Sequence, residues 1–307
     1  LRTYLQPLVE VSDLRSRMRN LTTVTGVTRR DAWKGQLIGN RSEAGPFVLS
    51  VTGPEGSEYV EADIVFDASG VYGQPGGLGI GGLAAHGEQT VSDLIERWIP
   101  DPRDRDFVAY AGKHALVVGD GHSASTSLHL LSQLREQHPS TAVSWVLSPA
   151  DPPYLVLDDD PLPRRKLLAE FGNRAAKGEV DGIDPLRKRI ERFSRQDDRA
   201  VVHFVGGDSL VVDRIVSNVG YRPDLDLTRE LQVHLCYASE GPMKLAASLL
   251  ASSGNADCLA QESAGVDTLR SPETDFFVIG NKSYGRNSNF LLRIGFEQIA
   301  AILDSLT

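Results

Sequence analysis

Two periods of apolar and polar residues run along this chain. Leu1, Tyr4, Leu5, Leu8 and Val11 recur at helical spacing and predict a helix over 1–11. Beyond it the pattern shortens. Leu21 to Val27 and Phe47 to Val51 read as strands, Gly53-Pro54-Glu55-Gly56 as a hairpin turn, and Tyr59 to Ala62 as the returning strand. Asp63 to Gly70 is a buried strand ending in small residues, followed by a glycine-rich loop from Gly73 to Gly87. Pro100 and Pro102, with the charges from Asp101 to Asp106, predict a linker. Val143 to Leu147 predicts a further strand, the charged stretch from Asp158 to Arg199 is read as largely helical, and Val201–Phe204 with Leu210–Val212 form a hairpin around Gly206-Gly207. Arg214 to Asp224 is read as a buried strand ending in glycine, Ala246 to Ser271 as loops, and Phe276 to Gly280 as the last strand. Asn289 to Leu306 closes the chain as an amphipathic helix, with Phe290, Leu291, Ile294, Ile299, Ile302 and Leu303 as its apolar set.

The densest signal lies at Lys113 to Ala124. An apolar run stops at Gly119-Asp120-Gly121 and passes directly into His122-Ser123-Ala124 and a helical sequence. Strand, glycine turn and helix in that order make a phosphate-binding corner. Gly119 permits the sharp turn, Gly121 lets a pyrophosphate approach the backbone, and Ala124 is small where helix meets strand. The helix N-terminus adds free N–H groups and partial positive charge. An ordinary strand-to-helix turn would show the same two glycines. Strand–helix–strand through the middle of the chain implies an α/β fold with a parallel sheet.

Composition narrows the partners. The 307 residues carry a net charge of −9 and are 41% hydrophobic and 24% charged, the balance of a globular chain long enough for one large or two ordinary domains. The acidic balance argues against nucleic acid or an anionic membrane surface. Cys236 and Cys258 form no Cys-x-x-Cys pair, which fits a reducing, cytoplasmic compartment and gives no dithiol centre. No run approaches membrane-spanning length, and there is no secretory signal at Leu1, where the chain opens inside an element, as a fragment or processed product would. No Ser-His-Asp order, metal-ligand spacing or paired carboxylates stand out.

Four segments together resemble the flavin-dependent monooxygenase and pyridine-nucleotide oxidoreductase superfamily. Gly119 to Ala124 is similar to its Gly-x-Gly-x-Ser-Ala NADPH loop. Asp67-Ala68-Ser69-Gly70 and Val219-Gly220-Tyr221-Arg222-Pro223 resemble its two crossings between FAD and NADPH domains, and Phe276 to Gly285 its C-terminal flavin-contacting strand and loop. The resemblance implies two interleaved Rossmann-like domains: residues 1–109 and 223–307 for FAD, 110–222 for NAD(P)H. It implies FAD and NADPH as cofactors, hydride transfer from NADPH to the flavin, then O2 activation on a small-molecule substrate. A flavin reductase or dehydrogenase without oxygen insertion, and a non-catalytic nucleotide-binding chain, stay open. The family's opening strand and Gly-x-Gly-x-x-Gly corner for the FAD pyrophosphate has no counterpart before the first crossing; Gly77-Leu78-Gly79-Ile80-Gly81-Gly82 matches in letters, but no strand ends at it, and it is read as a flexible connector. The expectation is an FAD domain incomplete at its N-terminus, completed by a homo-oligomer or a partner chain.

Residue by residue, the cofactor set is Gly119, Gly121, His122, Ser123, Ala124, Ser148, Gly220, Asp67, Ser69, Gly70, Gly280, Asn281, Lys282 and Gly285. The second strand ends at Leu147-Ser148-Pro149 with no acid until Asp151, which leans toward NADPH. Arg164, Arg165 and Lys166 could face a 2′-phosphate or simply open a solvated helix. His122 is read as a spacer, and Asn218 with Gly220 closes the second crossing. By the resemblance, Asn281 stands where an acid often holds the ribityl chain, Lys282 and Arg286 face phosphates or the flavin unless they are exposed loop charges, and the last helix points its N-terminus at the flavin ring.

Overall fold

The computed structural model describes residues 2–11, 13–148, 152–251 and 264–306. Pro149, Asp151 and Cys258 lie outside them. In chain order the strands are β1 (Thr23–Arg29), β2 (Phe47–Gly53), β3 (Gly56–Ala62), β4 (Val65–Asp67), β5 (Ile95–Glu96), β6 (His114–Val118), β7 (Ala142–Val146), β8 (Ile183–Leu186), β9 (Ile190–Gln196), β10 (Arg199–Phe204), β11 (Ser209–Val212), β12 (Arg214–Ser217) and β13 (Phe276–Val278). The helices are α1 (Arg2–Glu10), α2 (Leu14–Arg17), α3 (His122–Gln137), α4 (Pro163–Ala176), α5 (Met243–Ala251) and α6 (Leu292–Leu306).

Contacts divide the chain into two units, Leu1–Gln74 with Arg222–Thr307, and Pro75–Tyr221. The insertion therefore starts at Pro75, not at the expected residue 110. The reason is β5, a two-residue strand too short to read from sequence. It pairs in parallel with β12 through Ile95 and Ile215, which draws 75–109 into the inserted unit. The proline-rich stretch at 100–106 is inside that unit and links nothing.

The inserted unit holds a five-stranded parallel sheet in the order β5-β12-β6-β7-β8. α3 buries Ala124, Leu128, Leu131 and Leu134, a helical stripe, against one face together with α4. Leu116, Val118 and Ile215 point to the other face, onto the antiparallel sheet β11-β10-β9. Residues 183–196, expected as helix, are strands β8 and β9. Their charges sit on exposed positions while Ile190 and Phe193 are buried; the two stand three apart because the pairing with β10 shifts register between them, His203 facing Arg192 and Phe204 facing Ile190. The loop from Gly77 to Gly82 folds back on itself through Gly77 N to Gly82 O (3.3 Å) and Gly79 N to Leu83 O (2.8 Å), with Leu78 buried. It is a packed turn and not a loose connector.

The other unit carries the antiparallel sheet β1-β2-β3 and the parallel pair β4-β13. β13 alternates: Phe276 and Val278 pack with Val27 and Phe47, while Phe277 and Ile279 pack with Ile294 and Ile302 of α6. Ile299 and Leu303, expected in the buried set, are exposed and form an outward stripe with Leu292 and Phe296. Residues 246–251, expected as loop, belong to α5. Glu273 is fully buried between Arg29 (2.7 Å) and Arg41 (3.4 Å) and accepts the Gln232 N–H (2.7 Å), tying β1 and the loop after it to the chain before β13.

Candidate functional site

The glycine turn at the carboxyl end of β6 is built by local and distant residues together. Gly119 has φ +124°, and a Cβ there would stand 2.2 Å from the Asn218 carbonyl oxygen. It is glycine because the turn after β6 runs against the segment after β12. Ser127 Oγ donates to Asn218 Oδ1 (2.7 Å), fixing the same approach from α3. Gly121 differs. Its φ of −80° and ψ of 172° suit any residue, and nothing lies within 4 Å of where a Cβ would stand. It is the N-cap of the sixteen-residue α3, and no side chain caps the first turn, which leaves helix N–H groups facing open space.

Residues that no local spacing announces support this corner. Trp145, fully buried on β7, donates from Nε1 to the Gly119 carbonyl (2.7 Å). The Tyr154 hydroxyl donates to the Gly121 carbonyl (3.1 Å), and its ring meets His122 edge-on with centroids 5.5 Å apart. Gly172 of α4 makes room for that ring, since a Cβ there would lie 2.3 Å from it. Burial, and secondarily Arg165, hold the His122 imidazole below its ordinary pKa, so at neutral pH it brings no charge to the corner. Ser148 follows β7, and its carbonyl accepts from Nη1 of Arg187 (3.0 Å), which follows β8 on the neighbouring strand. Of the three cations expected near a 2′-phosphate, Arg165 is bound bidentately to Asp160 and Lys166 to the Asp158 carbonyl, while Arg164 is exposed. Ser123 and Ala124 lie in the first turn of α3, and Gly220 follows β12 with φ +82°.

The second set lies in the other unit. Asp67 ends β4, and Lys282 follows β13, so both sit at the carboxyl ends of parallel strands. Lys282 is 2% exposed; it is no exposed loop charge, and its Nζ donates to Asp67 Oδ2 (2.6 Å) and Ser69 Oγ (3.1 Å). Ser69 in turn donates through N (3.1 Å) and Oγ (2.7 Å) to Asp67 Oδ1. The Lys282 ammonium is thus committed to the end of β4. Gly70 and Gly280 have open space at their Cβ positions, whereas a Cβ on Gly285 would stand 2.0 Å from the Ser239 carbonyl oxygen. Asn281 is half-buried, and Arg286 pairs with Glu240 (2.9 Å) near the surface. The described residues hold no group of three or more His, Cys, Asp or Glu that could bind a metal ion, and no helix long and apolar enough to cross a membrane.

A five-stranded parallel sheet with a glycine corner, inserted into a unit whose own parallel strands end in glycine loops, defines the class: the fold is that of the two-domain FAD/NAD(P)-binding oxidoreductases. Among solved structures the chain is similar to the bacillithiol disulfide reductase Bdr (YpdA) from Bacillus cereus, with a TM-score of 0.64, 16% identity, and 99% of this chain matched to 75% of that one. It is similar to the HOCl-induced flavoprotein disulfide reductase RclA from Escherichia coli (TM-score 0.54, 14% identity), where 84% of this chain spans 47% of that one. It is similar also to an ornithine N-hydroxylase from Kutzneria sp. 744 whose structure holds reduced FAD, NADP+ and L-ornithine (TM-score 0.52, 17% identity, 93% of this chain and 72% of that one). No protein-family model matches the sequence, and no curated protein matches it.

Proposed function

We propose that the inserted unit binds NADPH at Gly119–Ala124 and delivers its hydride to a flavin held by the other unit, in the manner of the FAD-dependent oxidoreductases that share the fold. The observation that carries this reading is Gly121: a helix N-cap with ordinary backbone angles, no side chain, and open space over the first-turn N–H groups. Those features fit a pyrophosphate. The preference for NADPH rests on Ser148, which brings no acid to a ribose 2′-hydroxyl, and on Arg187 beside it.

The flavin fits less completely. Gly70 and Gly280 leave room for a flat ring against backbone at the ends of β4 and β13. No strand–glycine–helix corner for the FAD pyrophosphate occurs among the described residues of that unit. When bound, a flavin supplies two-electron acceptor chemistry; the chain's part is to place Ser69, Gly70 and Gly280 through the Asp67–Lys282 pair. The cysteine inventory of Cys236 and Cys258, with no Cys-x-x-Cys pair, favours an oxygen-using, monooxygenase-like reaction on a small molecule over a protein-dithiol route. The outward stripe of Leu292, Phe296 and Leu303 on α6 supports a covering partner or second copy.

The test combines calorimetry with spectroscopy on the purified chain. NADPH is expected to bind, and FAD to be retained well below one equivalent. With FAD supplied, NADPH is expected to bleach the flavin and O2 to be consumed. A chain that binds neither nicotinamide cofactor overturns the reading. Binding without any flavin reduction leaves a nucleotide-binding chain, and reduction with only peroxide as product leaves a flavin reductase.

A further inference from the structure

The inserted unit also has a half-open cleft that the nucleotide corner does not use. A cavity of about 410 Å³ runs beside the edge strand β5, walled by Ile95, Ile99 and Phe107 with Tyr110, Glu96 and Arg214. Arg214 is the first residue of β12, and Tyr110 precedes β6, whereas Gly119 follows the last residue of β6. β6 and β12 are parallel, so these two residues stand at the amino ends of the strands and the glycine corner at the carboxyl ends. The volume lies in the range of small-molecule sites, and the wall sets apolar Ile95, Ile99 and Phe107 beside the polar groups of Tyr110, Glu96 and Arg214.

Three polar groups in it have no side-chain hydrogen-bond partner among the described residues. Tyr110 is 6% exposed, and its hydroxyl makes no hydrogen bond with any described residue. Burial, reinforced by Glu96, pushes its phenol up to about 12, so it stays a donor. Arg214 is half-buried; its guanidinium makes one long bond, Nη1 to the Asp213 carbonyl (3.3 Å), and no described carboxylate lies within 4 Å of it. Glu96 is half-buried and accepts the Trp98 N–H (3.1 Å), and no described cation lies within 4 Å of it. The other carboxylates of the wall are engaged. Asp93 holds Arg195 with both oxygens (2.6 and 3.0 Å), Asp101 holds Arg103 (2.6 Å), and Asp104 has an interaction of its own.

From this arrangement we infer that the cavity beside β5 binds a small zwitterion with an apolar body, of the α-amino acid class. A guanidinium presents a fork of donors that matches a carboxylate, and the Tyr110 hydroxyl adds a further donor. Glu96 accepts from the ammonium. Ile95, Ile99 and Phe107 cover the apolar side chain. A simple anion is disfavoured because it would bring a second negative charge to Glu96, and a simple amine because it would leave Arg214 unpaired. The inference is independent of the nucleotide reading, since no residue is shared with the glycine corner.

Titration calorimetry of the full chain with L-phenylalanine and L-leucine tests it, with phenethylamine and hydrocinnamate as analogues that lack one charge each. Saturable binding of at least one amino acid is expected, with its analogues at least tenfold weaker. R214Q and E96Q should each weaken that binding at least tenfold and leave NADPH affinity unchanged. Y110F, which removes one oxygen, should weaken it severalfold and carries the test if R214Q does not fold. The inference is overturned if neither amino acid binds at millimolar concentration, or if binding survives Y110F and E96Q unchanged.

Discussion

Replacing Gly121 by alanine separates ligand binding from folding at the turn after β6. The new methyl meets no atom of the chain within 4 Å, and the residue keeps φ −80° and ψ 172°. Loss of glycine's freedom in the unfolded chain favours the variant by about 0.4–1 kcal/mol. Loss of a glycine N-cap offsets part of that, because alanine is the poorer cap. Stability should therefore stay within about 1 kcal/mol of the parent. On the proposed reading the methyl occupies the space of the pyrophosphate, and NADPH affinity is expected to fall at least tenfold, about 1.4 kcal/mol. Gly119→Ala is the converse. Its Cβ would lie 2.2 Å from the Asn218 oxygen at φ +124°, so overpacking and backbone strain add. Each is worth about 1–3 kcal/mol, and the fold should lose at least 2 kcal/mol. Calorimetry with NADPH and urea unfolding measure both. A well-folded Gly121→Ala chain with unchanged NADPH affinity refutes the placement of the phosphate.

Arg187→Gln is expected to weaken NADPH at least tenfold, about 1.4 kcal/mol, while leaving NADH within twofold; equal losses for both would show that Arg187 acts on the fold and not on the 2′-phosphate. Lys282→Met leaves the Asp67 carboxylate buried without its cation and should cost about 3–5 kcal/mol in urea unfolding, and a cost under 1 kcal/mol would show that water reaches the pair. Burial holds the imidazoles of both His114 and His122 below their ordinary pKa of 6.5. The unfolded chain therefore binds more protons below about pH 6.5, and stability present above that pH is lost as pH falls through the lowered folded-state values. His114→Gln should flatten that acid slope in thermal unfolding, and an unaltered slope would remove His114 as a source.

What could be read from sequence was local. The glycine corner announced itself because strand, turn and helix are contiguous, and Phe276 to Ile279 because four apolar residues in a row are rare outside a core. Lys282 was open to reading as a surface charge because its partner, Asp67, is 215 positions away. Tyr154, Trp145 and Arg187 carry no local pattern; they reach the corner from the ends of β7 and β8 and from the slot that Gly172 opens. Residues 183–196 read as helix because charge density outweighs a strand signal in which only Ile183, Ile190 and Phe193 are apolar and buried. α5 is hard to read from sequence because alanine and serine between few large apolar residues give little stripe, although Met243, Leu245, Ala246 and Leu249 suit a helix.

The division of labour between the two glycines bears on how far the corner supports a ligand at all. A glycine at positive φ, or one pressed against a neighbouring carbonyl, is explained by the chain's own path. Gly119 is of that kind, as is Gly285 against Ser239. Such residues would persist in a chain that binds nothing. Gly121 has neither excuse: its backbone is ordinary and its surroundings are empty, so folding alone gives no reason for the missing side chain. Its position at the N-cap of α3 is one where serine, aspartate or asparagine would stabilise the helix by about 1 kcal/mol more than alanine does. A side chain there would also fill the space over the first-turn N–H groups. On the proposed reading that space is left for something anionic, and Gly121, more than the motif as a whole, is the residue on which the nucleotide proposal rests.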